Sequence, residues 1–364
     1  MKNNTVNERP HYASDDAFMK TLHERVNAFF TAGGNMRKAN GSIVIKTLVL
    51  FTVYVSLYLL LVLTSNVNSL LSWFGWALMG ILLGLIGMNV LHDKVHGSYT
   101  QRKVGQLLLE IPILLIGAES KIWQIEHNHI HHNYTNVDGV DQDINPRFLF
   151  RFSPHQKRLW FHRFQAFYAP LLYALLLFEW LTIKDFIKVK TYQREGYLSR
   201  QAALMLYVQI ALKKLFFHIV FLGIPLWLCN SWVLVVGKYM VMLAIGGLFM
   251  TLIFQLAHVT HNVQFVERQS DQLKENWYKS QLESTHNFAP NHYLVTTLLG
   301  GLNYQIEHHL FPSISHVHYP QIAPIVQKTA KEFNYPYQCY PSFLTALWNH
   351  FHHLHCMGSP STFK

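Results

Sequence analysis

The sequence predicts an all-α, polytopic integral membrane protein with four transmembrane helices and a helical cap on the cytoplasmic side. The first observation is composition: of 364 residues, 50% are hydrophobic and only 14% are charged, yet the formal net charge is +10. This mixture is unusual for a water-soluble enzyme. The second observation is a set of long apolar segments, and the third is that histidines gather where these segments end.

Four apolar stretches are predicted to cross the bilayer. Residues 43–63 and 70–91 are each about long enough to span a hydrocarbon layer of ~30 Å at about 1.5 Å per residue. Residues 215–257 pause at 229–232, which predicts a hairpin of two spanning helices with Trp227 and Trp232 near the far interface.

Two shorter apolar segments are interrupted by charge. Residues 104–118 contain Glu110 and Pro112, and residues 169–183 contain Glu179, so both are expected to be interfacial or re-entrant. Histidine clusters lie on either side of the second segment. If those clusters share one site, an even number of crossings must separate them, and a full crossing at 169–183 would break that rule.

The ends of the chain are predicted to be cytoplasmic, with residues 1–42 as an interfacial segment, 43–338 as the membrane domain and 339–364 as a tail. No cleaved signal peptide is predicted, since no basic start leads directly into a short apolar run. Residues 15–30 have the helical periodicity of an amphipathic helix, lying either on a membrane surface or against the protein core. The stretch NHFHHLHCM has the composition of a metal-binding tract, and we expect it to be exposed with incidental affinity.

The cysteines do not form a recognisable framework. Cys229, Cys339 and Cys356 are far apart and show no CxxC pattern. We therefore expect structural thiols, and neither a disulfide framework nor a thiolate metal site is predicted.

Three histidine clusters stand at helical ligand spacing. Residues four apart share a helix face, which joins His92 to His96 and His127 to His131, with His132 at the edge of that face. In the third cluster the adjacent pair His308 and His309 follows Gln305 by three and four residues, so the amide is placed on the same face. Neutral imidazole suits zinc, copper, iron and nickel alike, so the ligand type does not name the metal.

Further histidines lie near these clusters. His258 stands where the last predicted span ends and is placed to add a ligand, and His261 follows three residues later on what could be the same face. His286 and His292 belong to the loop before the third cluster and are expected to be capping or surface residues.

The distribution of basic residues predicts the orientation, because Lys and Arg are retained on the cytoplasmic side. The opposite side offers essentially Lys238. The histidine side holds Arg25, Arg37, Lys38, Arg102, Lys103, Lys121, Arg147, Arg151, Lys157, Arg158, Arg163, Lys184, Lys188, Lys190, Lys213 and Lys214. The histidines are therefore predicted to face the cytoplasm, and no nucleic-acid partner is expected.

The motifs HDKVH, HNHIHH followed by NYTN, and QIEHH resemble the three histidine boxes of the membrane fatty acid desaturases over roughly residues 91–312. The closest likeness is to the bacterial and front-end acyl-lipid or acyl-CoA branch. In that family the boxes hold two non-haem irons, so the resemblance implies a di-metal histidine site in the cap. It places Gln305 where many relatives have another histidine, so Gln305 is expected in the metal set, where it touches the metal directly, holds a bound water or orients a neighbour. It places His129 at a non-ligand position. The resemblance assigns catalytic and metal-ligand roles to His92, His96, His127, His131, His132, His258, His308 and His309.

The resemblance also implies the reaction and its partners. A double bond would be introduced into a long acyl chain, linked to lipid or to CoA, with O2 and two electrons. The sequence contains no haem-binding HPGG stretch, so the expected electron donor is a separate ferredoxin or a b-type cytochrome with its reductase. Asp141 and Asp143 resemble acidic positions that follow the second box. They either orient histidines or form a solvated turn.

Three alternatives stand beside a desaturase. The histidine boxes specify oxygen activation and not its outcome, so a fatty acyl or lipid hydroxylase fits the same pattern. A histidine-rich membrane metal transporter would place ionisable residues inside the spans, whereas these cluster at the ends. A catalytically inactive membrane-binding protein would have no need of the complete set of boxes.

Overall fold

The computed structural model describes residues 11–13, 16–34, 36–145, 148–268 and 272–359. Asp15 and Arg147, which enter the predictions above, lie outside these ranges. Among the described residues, four helices are long and apolar enough to cross a membrane. They are Gly41–Leu63 (the first span), Leu70–Val95 (the second span), Arg200–Leu228 (the third span) and Trp232–His258 (the fourth span). The four predicted spans therefore correspond to four candidate membrane helices, and the bent helix pair described below is a fifth candidate if it is taken as one span.

Each span begins at a polar cap. Asn40, Ser69, Ser199 and Ser231 each accept a hydrogen bond from the backbone N–H three residues later. Such caps satisfy backbone donors that the first helical turn leaves without partners. The third span begins at Arg200, well before the apolar start predicted at residue 215, because Lys213 and Lys214 interrupt an apolar helix that continues on both sides of them.

The second and fourth spans pack closely through glycines. A Cβ atom on Gly80 would lie 2.1 Å from the carbonyl oxygen of Met242, and one on Gly246 would lie 2.7 Å from the carbonyl oxygen of Gly80. Without a hydrophobic driving force in lipid, helices associate through such close approach of small residues. The second span is also the most enclosed of the four, with 78% of its most apolar stretch buried inside the protein.

Charged residues inside the spans have partners. In the third span, Lys213 binds Glu119 at 2.8 Å and Lys214 binds Asp185 at 2.7 Å. In the fourth span, the Nζ of Lys238 donates to the carbonyl oxygen of Val67, at 2.8 Å, in the loop between the first two spans. These contacts satisfy ammonium groups that lipid would not solvate.

The segment predicted to be re-entrant is a bent helix pair. Its two helices, Trp160–Tyr173 and Leu176–Arg194, are long and apolar enough to cross a membrane only when they are taken together. They meet at an angle of 55°. The histidines before and after this pair lie in one cluster, described below, and two spans already separate them. A complete third crossing would place them on opposite sides of a bilayer, so one shared site requires this pair to be interfacial or re-entrant, as predicted for residues 169–183. Residues 104–118 likewise form two short helices, Lys103–Leu108 and Glu110–Leu115.

The cap is built from the remaining helices and two small parallel strand pairs. Its amphipathic helix Asp16–Gly33 buries Phe18, Leu22 and Val26 in a core shared with helix Tyr319–Glu332, so the core alternative for this helix is correct. The other helices here are Ser120–Gln124, Asp185–Arg194, Trp277–Ser284, Tyr293–Leu298, Gln305–Leu310 and His316–His318. The strand pairs are His11–Ala13 with Gln272–Asn276 and Asn287–Phe288 with Cys339–Tyr340.

The histidine-rich stretch near the end of the chain is not exposed, and that expectation is wrong. It forms helix Phe343–Gly358, which packs against the body of the protein. His350 and His353 are buried, and each contacts a backbone carbonyl at 2.7 Å, on Val259 and Phe152 respectively. The stretch therefore carries an apolar and histidine-bearing inner face at helical spacing, which composition alone did not reveal.

Gly80→Ala should destabilise the protein, because its Cβ meets backbone that cannot move aside. We expect a loss of about 1–3 kcal/mol in the free energy of unfolding. The thermal unfolding of the two proteins in detergent micelles measures it.

The matched control is Gly223→Ala in the third span, where the nearest atom to an added Cβ lies at 3.8 Å. Both changes raise helix propensity equally, so an equal effect of the two substitutions would contradict close packing at Gly80.

Candidate metal centre

All eight histidines predicted as ligands meet in one buried cluster where the second and fourth spans enter the cap. Their ring nitrogens fall into three overlapping groups, and within each group one ligand atom per residue lies within 4.8 Å of the others. The groups are His92, His96, His127 and His308; His131, His258 and His309; and His132, His308 and His309. The cluster thus has two ends, with His132 between them.

The spacing of the nitrogens fits shared metal ions. The Nε2 atoms of His92 and His308 lie 3.1 Å apart, those of His127 and His92 3.3 Å, and those of His132 and His127 3.2 Å. Two imidazole nitrogens bound at about 2.0–2.1 Å to one ion lie roughly 3.0–3.4 Å apart. Among the described residues, the buried Nε2 atoms of His96 and His309 have no hydrogen-bond partner. A metal ion at each end would satisfy these atoms.

A π-helical segment, Ile125–His131, determines how the second cluster faces the centre. Its widened turn is marked by a hydrogen bond of 3.0 Å from the backbone N–H of His132 to the carbonyl of His127. His127 joins one end of the cluster and His131 the other, while their rings stack with centroids 5.4 Å apart, so the two still point the same way as their spacing predicts. Such π turns recur at functional sites.

Partners at Nδ1 hold several rings in place. Nδ1 of His131 donates to Asp141 at 3.1 Å, and Nδ1 of His309 donates to the amide oxygen of Gln281 at 2.8 Å. Nδ1 of His308 lies 3.2 Å from the hydroxyl of Tyr319. A hydrogen bond at Nδ1 directs the Nε2 lone pair toward the metal.

Asp141 orients a histidine, which decides between the two alternatives for that residue. Its carboxylate is fully buried and also accepts the backbone N–H groups of Asn136 and Asp143. The side chain of Asp143 is 44% exposed, although its Oδ2 comes within 3.4 Å of His131 Nδ1. Asp143 therefore occupies the solvated turn.

Burial and the neighbouring histidines favour neutral imidazoles at most positions of the cluster. Burial and the neighbouring histidines hold the pKa values of His127, His132, His308 and His309 well below the usual range. Burial also lowers the pKa of His131, but the charges of Asp141 and Asp143 outweigh it and raise that pKa to about 9. Neutral imidazole is the form that binds metal.

Of the remaining residues considered in the sequence, one lies beside the centre and two lie away from it. The buried side chain of Gln305 lies next to His258, beside the His131 end of the cluster. His261 is exposed and its ring lies 4.9 Å from that of His352, so it does not join the centre. His129 is exposed, as its non-ligand position implies.

Two loop histidines have different environments. His292 caps helix Tyr293–Leu298, as one of the two alternatives predicted. His286 is instead buried, with Nδ1 3.2 Å from the hydroxyl of Thr260, so the capping or surface expectation is wrong for that residue.

The sequence reasoning missed a buried chain beside the first cluster. Nδ1 of His316 binds Asp93 at 2.8 Å, and its Nε2 lies 2.7 Å from Nζ of Lys46. Asp93 follows the metal-cluster residue His92 directly. The position of Asp93 inside HDKVH could have indicated a role beside the centre. Its distant partner His316 lies outside every motif, so the contact itself could not be predicted.

A cavity of about 770 Å³ opens onto the His131 end of the cluster. This volume is typical of sites for small organic ligands. One part of its lining is polar, where Glu126 binds Lys184 at 3.2 Å and Lys188 at 2.9 Å. Its apolar lining includes Leu149, Phe150, Leu172, Leu175, Leu176, Met250 and Phe254.

The fold and the site define the class: a helical protein with four candidate membrane spans and a buried histidine centre able to hold metal ions. The family model for fatty acid desaturases matches residues 68–341. The chain belongs to the fatty acid desaturase family and is an oxidoreductase.

Three similar proteins show the range of relatives. An acyl-lipid (8-3)-desaturase of Physcomitrium patens is 33% identical over 349 residues, covering 95% of this chain and 72% of that protein. An sn-1 linoleoyl-lipid 6-desaturase of Synechocystis is 31% identical, covering 97% of this chain and 99% of that protein. An sn-1 linoleoyl-lipid 6-desaturase of Arthrospira platensis is 32% identical, covering 91% and 89% respectively.

Asp141→Asn should weaken metal binding, because the amide cannot stabilise the proton on His131 as a carboxylate does. Loss of such a partner costs about 10–100-fold in metal affinity. Metal retained per chain after a timed chelator challenge measures this. Asp143→Asn is the comparison, since that carboxylate is partly exposed and lies farther from His131 Nδ1 than Asp141 does, and equal metal retention by both variants and the parent would contradict the role given to Asp141.

Proposed function

We propose that this chain introduces a double bond into the acyl chain of a membrane lipid at a non-haem di-iron centre, using O2 and two electrons. The observation that carries the proposal is the cluster of eight histidines, which form three overlapping groups with ligand atoms within 4.8 Å of one another inside each group. Two irons supply the oxidising power needed to remove hydrogen from an unactivated methylene, which no amino-acid side chain can do. The residues of the chain supply geometry, shielding and orientation.

The ligand set follows from the two ends of the cluster. We propose that His92, His96, His127 and His308 hold one iron, and that His131, His258 and His309 hold the other. His132 stands between these groups and is assigned to the centre as well. Gln305 is assigned to the second iron, either directly or through His258, because its amide lies beside that ring.

The cavity supports the assignment of an acyl substrate. Its lining joins the His131 end of the cluster to leucine and phenylalanine side chains, so an apolar chain placed there passes directly beside the metal site. Enclosure by apolar side chains excludes water and limits which carbon reaches the centre. The Glu126, Lys184 and Lys188 cluster is placed to contact the polar end of the substrate.

The names of the relatives favour a lipid-linked chain over acyl-CoA. Two of the similar proteins are named sn-1 linoleoyl-lipid 6-desaturases and another an acyl-lipid (8-3)-desaturase. We therefore propose a glycerolipid acyl group as the substrate. Electrons are proposed to come from a separate ferredoxin or b-type cytochrome with its reductase.

The test is the lipid profile of cells that express the chain with a donor system. We expect a new double bond in the acyl chains of membrane lipids, and none when the donor is omitted in a reconstituted assay. His131→Ala should lose both iron and product, because that ring belongs to the second end of the cluster. His129→Ala, a change at an exposed position of the same segment, should keep close to two irons and full activity.

Other outcomes identify the alternatives. Hydroxylated acyl chains without new double bonds would establish a hydroxylase. Unchanged lipids together with metal uptake would establish a transporter. Desaturation by protein that carries zinc at full occupancy would refute the iron centre.

We also propose that the histidine centre and both terminal regions, residues 1–42 and 339–364, face the cytoplasm around a desaturase domain at 43–338. The support is the excess of basic residues on the histidine side. In a Cys339→Ser background, Val67→Cys should react with an impermeant maleimide in intact cells, because it lies in the exposed loop between the first two spans.

Lys157→Cys is the matched position on the histidine side, where the side chain is also exposed. It should react only after the cells are permeabilised. Labelling of Lys157→Cys in intact cells would overturn this orientation.

A further inference from the structure

A second group of metal-binding side chains lies outside the histidine centre. It consists of His261, which follows the fourth span, and of His352 and Cys356 on helix Phe343–Gly358. One ligand atom from each residue lies within 4.8 Å of the other two. None of the eight histidines of the centre belongs to this group.

The geometry is that of ligands to one small ion. His352 and Cys356 are four residues apart and share a helix face. Sγ of Cys356 lies 3.6 Å from Nε2 of His352, and the rings of His261 and His352 are 4.9 Å apart. At about 2.3 Å for Zn–S and 2.0–2.1 Å for Zn–N, sulfur and nitrogen on a tetrahedral zinc ion lie roughly 3.5 Å apart.

The elements that carry these side chains are fixed by other contacts. The end of helix Phe343–Gly358 accepts hydrogen bonds from Arg151 to Met357, at 2.9 Å, and from Arg158 to Gly358, at 2.6 Å. The loop that carries His261 starts at His258, whose carbonyl accepts the side-chain amide of Asn136 at 2.9 Å. The three side chains are therefore presented by a rigid scaffold, which metal sites require.

We propose that His261, His352 and Cys356 form a three-ligand Zn²⁺ site that joins helix Phe343–Gly358 to the exit of the fourth span. Two imidazoles and one thiolate are ligands that zinc prefers, and the exposed position of His261 leaves the fourth coordination position to water. Zinc binding converts the Cys356 thiol to a thiolate and releases one proton to solvent. The site is independent of the proposed desaturation chemistry.

Cobalt substitution tests this site without any measurement of activity. Co²⁺ added to full-length protein in detergent should give a thiolate-to-cobalt charge-transfer band in the near ultraviolet. Among the described residues, the groups that form the histidine centre contain no cysteine, so cobalt bound there cannot produce this band. Added Zn²⁺ should remove the band by competition.

Three variants assign the ligands. Cys356→Ser should abolish the band, and His261→Asn, a change at an exposed loop position, should weaken Zn²⁺ binding at least about tenfold, since loss even of an outer partner costs about that much. His355→Asn on the same helix is the matched control, because His355 is exposed and outside the group. It should leave both the charge-transfer band and the Zn²⁺ affinity unchanged. Cys339→Ser should also leave the band unchanged, which excludes the exposed thiol as its source.

The proposal fails if monodisperse wild-type protein shows no thiolate band or if Cys356→Ser keeps it. It also fails if His261→Asn and His355→Asn bind Zn²⁺ equally well, because the ion would then be adventitious. Neither result would bear on the desaturase, whose iron content and products are measured separately.

Discussion

The structure depends on burying eight imidazoles without leaving their nitrogens unsatisfied. A buried polar atom without a partner costs free energy, and packing neutral rings at 3.1–3.3 Å through Nε2 offers them few hydrogen bonds. In the proposed centre metal ions would satisfy the Nε2 atoms, while the protein binds several of the opposite nitrogens through Asp141, Gln281 and Tyr319. In the proposed centre, metal ions would thus satisfy one nitrogen of a ring and the surrounding cap the other.

This requirement explains the architecture around the centre. The histidines come from distant parts of the chain, so the helices must return each of them to the same side of a bilayer. The close glycine contact between the second and fourth spans brings His92 and His258 toward one another. The bent pair Trp160–Tyr173 and Leu176–Arg194 adds apolar lining beside the centre, without a further complete crossing.

Hydropathy and histidine spacing predicted much of this arrangement. The four spans and the eight histidines of the centre follow from local patterns, because both depend on residues close together in sequence. Other features depend on contacts that no local pattern encodes. A π-helical turn carries the second histidine cluster, and the distant Gln281 and His316 contact His309 and Asp93 respectively. The C-terminal helix was misjudged because its composition, without its partners, resembled an exposed metal tract.

The central claim is that the two ends of the histidine cluster each hold an iron. Anomalous X-ray scattering at the iron absorption edge, from crystals of the full chain grown with iron, tests this most directly. The account predicts two iron peaks, one among His92, His96, His127 and His308 and the other among His131, His258 and His309. A single peak, or iron bound away from these rings, would contradict it.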